Sequence, residues 1–254
     1  MSDIEIVFSA VGLGDAPVSR WIALNRAVLA MDNVSASVVT DGITQYPGIN
    51  VVSVTQTESF DIGTASNRGI RQSTADIVVK TDADIVFSTR LIEYLAQAVI
   101  PGVCVIAKCT NIMVNDELGY DEQEEFCRLY QDSWGCHPVR PAGRGACFAM
   151  HRTDWALLRG YDERLRQYGA DDDLMFARAQ KLLEVVQTAR NPLWHVDHTK
   201  RTGNDRFANL GAQNLSDAKL RPDWATMPES SRWGLGKQDI GEILAGASDI
   251  DITK

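Results

Sequence analysis

Ala75-Asp76-Ile77-Val78-Val79-Lys80-Thr81-Asp82-Ala83-Asp84-Ile85-Val86-Phe87 is the stretch that decides the fold. Ala75 to Thr81 is short, mostly apolar and rich in β-branched residues, so it reads as a buried strand. It runs directly into two carboxylates separated by one alanine. Toward the N-terminus, Ile4 to Val11 has the same character and is followed by a turn at Gly12 and Gly14. Pro17 to Met31 places Trp21, Leu24, Val28 and Leu29 at helical spacing. Ala36 to Thr40 reads as a strand ending in Asp41-Gly42, and Ile49 to Thr55 as another. Ile62 to Ser73 reads as a helix with Ile62, Ala65, Gly69 and Ile70 on one side. This β-α-β-β-α-β order predicts an α/β fold with an open, mostly parallel central sheet flanked by helices. Ligands of such sheets bind beyond the carboxyl ends of the strands, where Asp41, Asp82 and Asp84 fall.

Toward the C-terminus, Thr89 to Val99 reads as a helix, and Val103 to Cys109 and Ala146 to His151 as strands. A helix begins over Asp154 to Arg159, with Thr153 or Asp154 as its cap. Asp172 to Leu183 is an amphipathic helix. Asn111 to Pro141 fits no regular pattern and carries Tyr130, Trp134 and His137. Beyond Ser216 the expectation is irregular structure with a short helix near Ile240 to Leu244. No linker divides the chain, so residues 1–254 are expected to form one domain. Within it the chain divides into a first part, 1–110, a second, 111–215, and an irregular extension, 216–254.

The chain has 254 residues, 44% hydrophobic and 23% charged, which is enough to bury a substantial core. Its net charge of -9 and scattered basic residues disfavour nucleic acid as a partner. The five cysteines, Cys104, Cys109, Cys127, Cys136 and Cys147, form no C-x-x-C pair and are odd in number. Neither a structural zinc site nor a full disulfide framework is expected, and a reducing, cytoplasmic setting is. The first residues lack a secretory pattern, and no apolar run approaches the ~20 residues of a transmembrane span.

Paired acids at a strand end have a specific chemical use. Hard divalent cations take oxygen ligands, and Mg²⁺ is commonly held by one or two carboxylates plus substrate phosphates. A nucleotide diphosphate supplies such phosphates. The competing reading of Asp82-Ala83-Asp84 is a turn followed by a helix cap.

Asn67-Arg68-Gly69-Ile70, Ala75-Asp76-Ile77-Val78 and Asp82-Ala83-Asp84 together resemble the first half of GT-A (nucleotide-diphospho-sugar transferase) glycosyltransferases. The resemblance implies that Ser9, Ala10 and Val11 line the nucleotide base, that Asp41 contacts it, and that Arg68 lies near the base or diphosphate. It implies that Asp82, Ala83 and Asp84 meet the donor, the two acids through the metal. The second half resembles galactosyltransferase-type members. It carries Gly143-Arg144-Gly145-Ala146-Cys147-Phe148, then Gly160-Tyr161-Asp162-Glu163, then Tyr168-Gly169-Ala170-Asp171-Asp172-Asp173-Leu174. By that resemblance Asp172 is the base that takes a proton from the acceptor hydroxyl, and Asp171 binds acceptor or donor sugar. Asp173 is structural. The acids open a helix, whose N-terminal dipole favours negative charge.

Trp194-His195-Val196-Asp197-His198-Thr199-Lys200-Arg201 matches the family's late histidine and the basic segment after it. The resemblance implies that His198 completes the metal site, with His195 as the alternative, and that Lys200 and Arg201 fold over the diphosphate. Imidazole with carboxylates suits Mn²⁺ at least as well as Mg²⁺. Two departures fall in the sugar pocket: Tyr168 stands where the galactosyltransferases carry tryptophan, and Ala170 where they carry glycine. Among small bacterial proteins the chain also looks like the GT-A-like protein encoded beside ATP synthase genes in some photosynthetic bacteria.

The expectation is a metal-dependent enzyme moving a hexose from a UDP-sugar to a hydroxyl acceptor. Acceptor and oligomeric state are left open. The first alternative is a GT-A-like protein that binds UDP and metal without transfer. A nucleotidyltransferase is disfavoured because Val11 to Pro17 contains no lysine or arginine, and a metallohydrolase because no H-x-H or H-E-x-x-H pattern appears.

Overall fold

The computed structural model describes residues 2–42, 44–54, 62–112, 146–163, 171–188 and 193–196. The Asn111 to Pro141 segment lies outside them from residue 113 on. So do Tyr168, Ala170, His198, Lys200, Arg201 and the helix expected near Ile240.

In chain order the strands are β1 (Ile4–Ser9), β2 (Val34–Thr40), β3 (Asn50–Ser53), β4 (Ile77–Asp82), β5 (Ile85–Phe87), β6 (Val103–Ala107), β7 (Thr110–Ile112), β8 (Cys147–His151), β9 (Glu184–Thr188) and β10 (Leu193–Val196). The helices are α1 (Asp15–Leu24), α2 (Arg26–Leu29), α3 (Ile62–Gln72), α4 (Thr89–Ala98), α5 (Arg152–Leu158) and α6 (Asp171–Leu182). Seven strands form the main sheet in the order β3-β2-β1-β4-β8-β6-β9. It is mostly parallel; β8 alone runs antiparallel, to both β4 and β6. A second sheet, β5-β10-β7, stands beside it.

β1 and β4 are buried on both faces, the charged Glu5 and Lys80 included, as inner strands of a sheet covered by helices are. One face packs with α1, α2 and α4 through Ile4, Ile6, Phe8, Trp21, Leu91 and Leu95. The other packs with α3, α5 and α6 through Val7, Val39, Val78, Trp155, Met175 and Ala179.

Four expectations need correction. Pro17 to Met31 is two helices, because buried Asn25 leaves the helical pattern to serve β5. Its Nδ2 donates to Ile85 O at 3.1 Å and its Oδ1 accepts from Phe87 N at 2.9 Å. β1 ends at Ser9, and Val11 already belongs to the turn. β4 starts two residues later than expected and includes Asp82. The cap of α5 is His151, whose ring nitrogen accepts from Thr153 N; Asp154 accepts instead from Gly102 N at 2.9 Å.

Gly69 lets α3 lie against the sheet. A Cβ there would overlap Val7 Cγ1 and come within 2.8 Å of Val39 Cγ2, both in the packed core. Gly69→Ala gains up to about 1 kcal/mol in helix propensity but overpacks this contact by about 1–3 kcal/mol. Net destabilisation in urea or thermal unfolding is therefore expected. A variant as stable as the parent would show that α3 lies less close than described.

Candidate functional site

The carboxyl ends of β1, β2 and β4 lie side by side, with Ser9 opposite both Val39 and Asp82. Alternation along β4 puts Val78, Lys80 and Asp82 on one face. Val78 packs there with Tyr161, Met175 and Phe176, so the Lys80 face is the one covered by α6 and the turn after α5.

Lys80 is the centre of this arrangement, and its side chain is 2% exposed. Nζ donates to Asp82 Oδ1 at 3.0 Å and lies 3.6 Å from Asp172 Oδ1. It also lies 5.5 Å from the centre of the Tyr161 ring. The Tyr161 hydroxyl donates to the same Asp172 Oδ1 at 3.2 Å. Loss of water disfavours an ammonium, but the Asp172 and Asp82 carboxylates outweigh it and hold the Lys80 pKa well above its ordinary value. The Tyr161 phenol is also pushed up. Burial is the main cause, Lys80 opposes it, and Asp172 and Asp82 add to it. Both groups therefore keep their protons at neutral pH and remain donors.

Asp84 meets a different partner. After the Ala83-Asp84 turn the chain enters β5, which pairs antiparallel with β10 so that His195 stands opposite Ile85. Val196 N donates to Asp84 O at 2.8 Å, and His195 Nε2 lies 3.2 Å from Asp84 Oδ2. One carboxylate oxygen and one imidazole nitrogen at this distance are donors that suit Mn²⁺. Among the described residues no group of three or more His, Cys, Asp or Glu gathers as a metal site.

The remaining expected residues are placed less uniformly. Asp41 Oδ1 accepts from Gly12 N at 2.9 Å, which ties the turn after β1 to the end of β2. Ala10 and Val11 are buried, and Ala10 N donates to Val39 O at 2.8 Å. Ser9 Oγ is buried without a hydrogen-bond partner among the described residues. Arg68 is exposed on α3, and no hydrogen bond or ion pair joins it to Asp41, Asp82 or Asp84. Asp171 is buried in the first turn of α6, and Asp172 beside it is half-buried.

Sequence reading assigned no role to Lys80, Tyr161 or Asn67. Lys80 carried a signal, as the one cation inside a β-branched run. Asn67 is fully buried. Its Oδ1 accepts from Tyr161 N at 2.8 Å, and its Nδ2 donates to Tyr161 O and Glu163 Oε1, both at 2.9 Å. Arg71 pairs with the same Glu163. The turn that delivers Tyr161 is left-handed at Arg159 (φ 58°) and Gly160 (φ 59°), and Arg178 donates to Leu158 O and Gly160 O within it. Asn67→Ala should cost about 2–4 kcal/mol, because it strands a buried peptide N–H and C=O together. Chemical denaturation of the variant measures this, and a loss below about 0.5 kcal/mol would mean that Tyr161 is held by other contacts.

No family model matches the chain, and no curated protein does. Its fold matches solved glycosyltransferases at low identity. GalNAc-T7, solved with UDP, GalNAc and Mn²⁺, is 13% identical with a TM-score of 0.57. The match covers 98% of this chain and 55% of that one, so this chain spans about half its length. The mannosyltransferase PcManGT from Pyrobaculum calidifontis, in complex with GDP-Man and Mn²⁺, is 17% identical, with a TM-score of 0.55 and coverage of 99% and 78%. The catalytic domain of Drosophila β1,4-galactosyltransferase 7, in complex with xylobiose, is 13% identical, with a TM-score of 0.56 and coverage of 85% and 80%. The fold is GT-A: a mostly parallel seven-stranded sheet flanked by helices.

Proposed function

We propose that this chain is a metal-dependent glycosyltransferase that moves a hexose from a nucleotide-sugar, with UDP as the first nucleotide to test, to a hydroxyl acceptor. The observation that carries the reading is the gathering of three acids and an imidazole beyond the carboxyl end of β4. Asp84 is joined to His195, and Asp82 is linked through Lys80 to Asp172. Two of the solved structures of similar fold were obtained with UDP or GDP-Man and Mn²⁺, which supports a nucleotide-sugar and a divalent cation as ligands.

In this reading Asp84 and His195 hold the cation from the protein side, with Asp82 and His198 as further ligands. The cation, when bound, neutralises charge on the leaving diphosphate. Ser9, Ala10, Val11 and Asp41 line the base, where the unpartnered Ser9 hydroxyl offers a hydrogen bond that a ligand can complete. Arg68 lies toward the base or diphosphate, and Lys200 and Arg201 cover the diphosphate. Asp172 accepts the proton of the attacking hydroxyl, while Asp171 orients acceptor or sugar. A base in this role implies inversion at the anomeric carbon. The likeness to the GT-A-like protein encoded beside ATP synthase genes in some photosynthetic bacteria is compatible with this site and leaves the acceptor open. Among the described residues no helix is long and apolar enough to cross a membrane.

Calorimetric titration of UDP, and of GDP, in Mn²⁺ and then in EDTA tests the reading. Binding should require metal, and Asp84→Ala and His195→Ala should each weaken it by about tenfold or more. Asp172→Asn should bind normally yet lose about 10²–10⁴-fold in turnover of a UDP-hexose. Metal-dependent binding without turnover of any nucleotide-hexose would leave a binding protein. Binding of neither nucleotide in either condition would remove the reading altogether.

A further inference from the structure

We propose that Lys80 is a positioning residue for Asp172. With Tyr161 it commits one carboxylate oxygen to the protein and presents the other to the acceptor hydroxyl. The inference rests on the function proposed above.

Both close contacts of the Asp172 carboxylate fall on Oδ1, the hydroxyl of Tyr161 at 3.2 Å and the ammonium of Lys80 at 3.6 Å. Among the described residues Oδ2 accepts no hydrogen bond, and the side chain is 36% exposed. An unanchored aspartate turns about two side-chain bonds, which spreads its oxygens over many directions. A base is effective only when its lone pair meets the donor proton in line and within hydrogen-bond reach. Fixing Oδ1 from two directions fixes where Oδ2 points.

The anchors are themselves held by backbone bonds. Lys80 lies within β4 between Val7 of β1 and Phe148 of β8, so its backbone is bonded on both sides. Tyr161 is held through its own peptide by Asn67. The same ammonium bonds Asp82 Oδ1, so the acid on the donor side and the acid on the acceptor side share one fixed cation. Their separation is set by the strand and does not depend on the approach of α6 alone.

The step balances simply. The acceptor O–H proton passes to Asp172 Oδ2 as the acceptor oxygen bonds to the anomeric carbon. The bond from that carbon to the diphosphate oxygen breaks, and its electron pair leaves with the diphosphate. Lys80 and Tyr161 keep their protons throughout.

The test uses Tyr161→Phe and Lys80→Met, each alone and combined with Asp172→Asn, and follows nucleotide release from the UDP-hexose that turns over. Tyr161→Phe should lower kcat about tenfold and Lys80→Met about 100-fold. For Tyr161→Phe, donor KM and UDP–Mn²⁺ affinity should stay within about twofold. Neither substitution should lower kcat further once Asp172 is Asn, because residues acting through one group are not additive. An equal loss in the Asp172→Asn background, or a change in donor KM at constant kcat, overturns the proposal. If Lys80→Met does not fold, Tyr161→Phe decides alone. If the parent protein binds no nucleotide, the functional reading fails separately, and melting temperatures of the Tyr161→Phe and Asp172→Asn cycle still test the anchor. A departure from additivity of about 2 °C or more supports it, and additive shifts overturn it.

Discussion

A cation inside the sheet imposes the arrangement of everything around it. Lys80 sits in the central strand of the main sheet with its side chain 2% exposed. A buried charge costs several kcal/mol unless it is paired and hydrogen-bonded. Asp82 and Asp172 provide that pairing, with the Tyr161 ring face alongside. The requirement reaches far along the chain. Asp82 must end the strand that carries Lys80, and α6 must start where its second residue meets the ammonium. A matched buried pair contributes little net stability, whereas removing one partner costs about 3–5 kcal/mol.

Asn67 performs the complementary task for the peptide backbone. The turn through Arg159 and Gly160 carries two consecutive residues with positive φ, a conformation that costs energy for Arg159. Left in a buried place, the peptide groups of Tyr161 would need partners. Asn67, 94 residues earlier, supplies both the acceptor and the donor. α3 can do so only because Gly69, two residues on, lets the helix sit directly on Val7 and Val39. The closeness of helix and sheet and the position of Tyr161 are thus one constraint expressed at two residues.

Much of the sheet was legible because its signals are local. The β-branched runs Ile4–Ser9, Val34–Thr40 and Ile77–Asp82 announce strands, and Asp41 and Asp82 mark their carboxyl ends. What stayed hidden depends on pairing across long separations. β5 and β7 are three residues each and are strands only because β10 comes between them. β9 continues directly from α6 and shows little burial, so no periodicity separates it from the helix. The split of Pro17 to Met31 was hidden for a related reason. Asn25 reads as an ordinary helix residue until β5 places two peptide groups within its reach. For the candidate site, residue type and position flagged Asp82 and Asp84, and the family resemblance flagged Asp172 and His195. Which acid meets which partner followed only from the sheets.

That division of partners explains why one residue separates the two acids. A strand alternates its faces, so Asp82 shares the face of Lys80 and must turn toward α6. An acid at position 83 would fall on the opposite side of an extended strand. An acid at 84 returns to the first side unless the chain bends, and here the chain bends through a turn into β5. The turn hands Asp84 to the second sheet, where His195 is brought opposite Ile85. Asp-Ala-Asp therefore works as a junction between two sheets. Its first acid is paired with the cation of the main sheet, and its second lies against the imidazole of the smaller one.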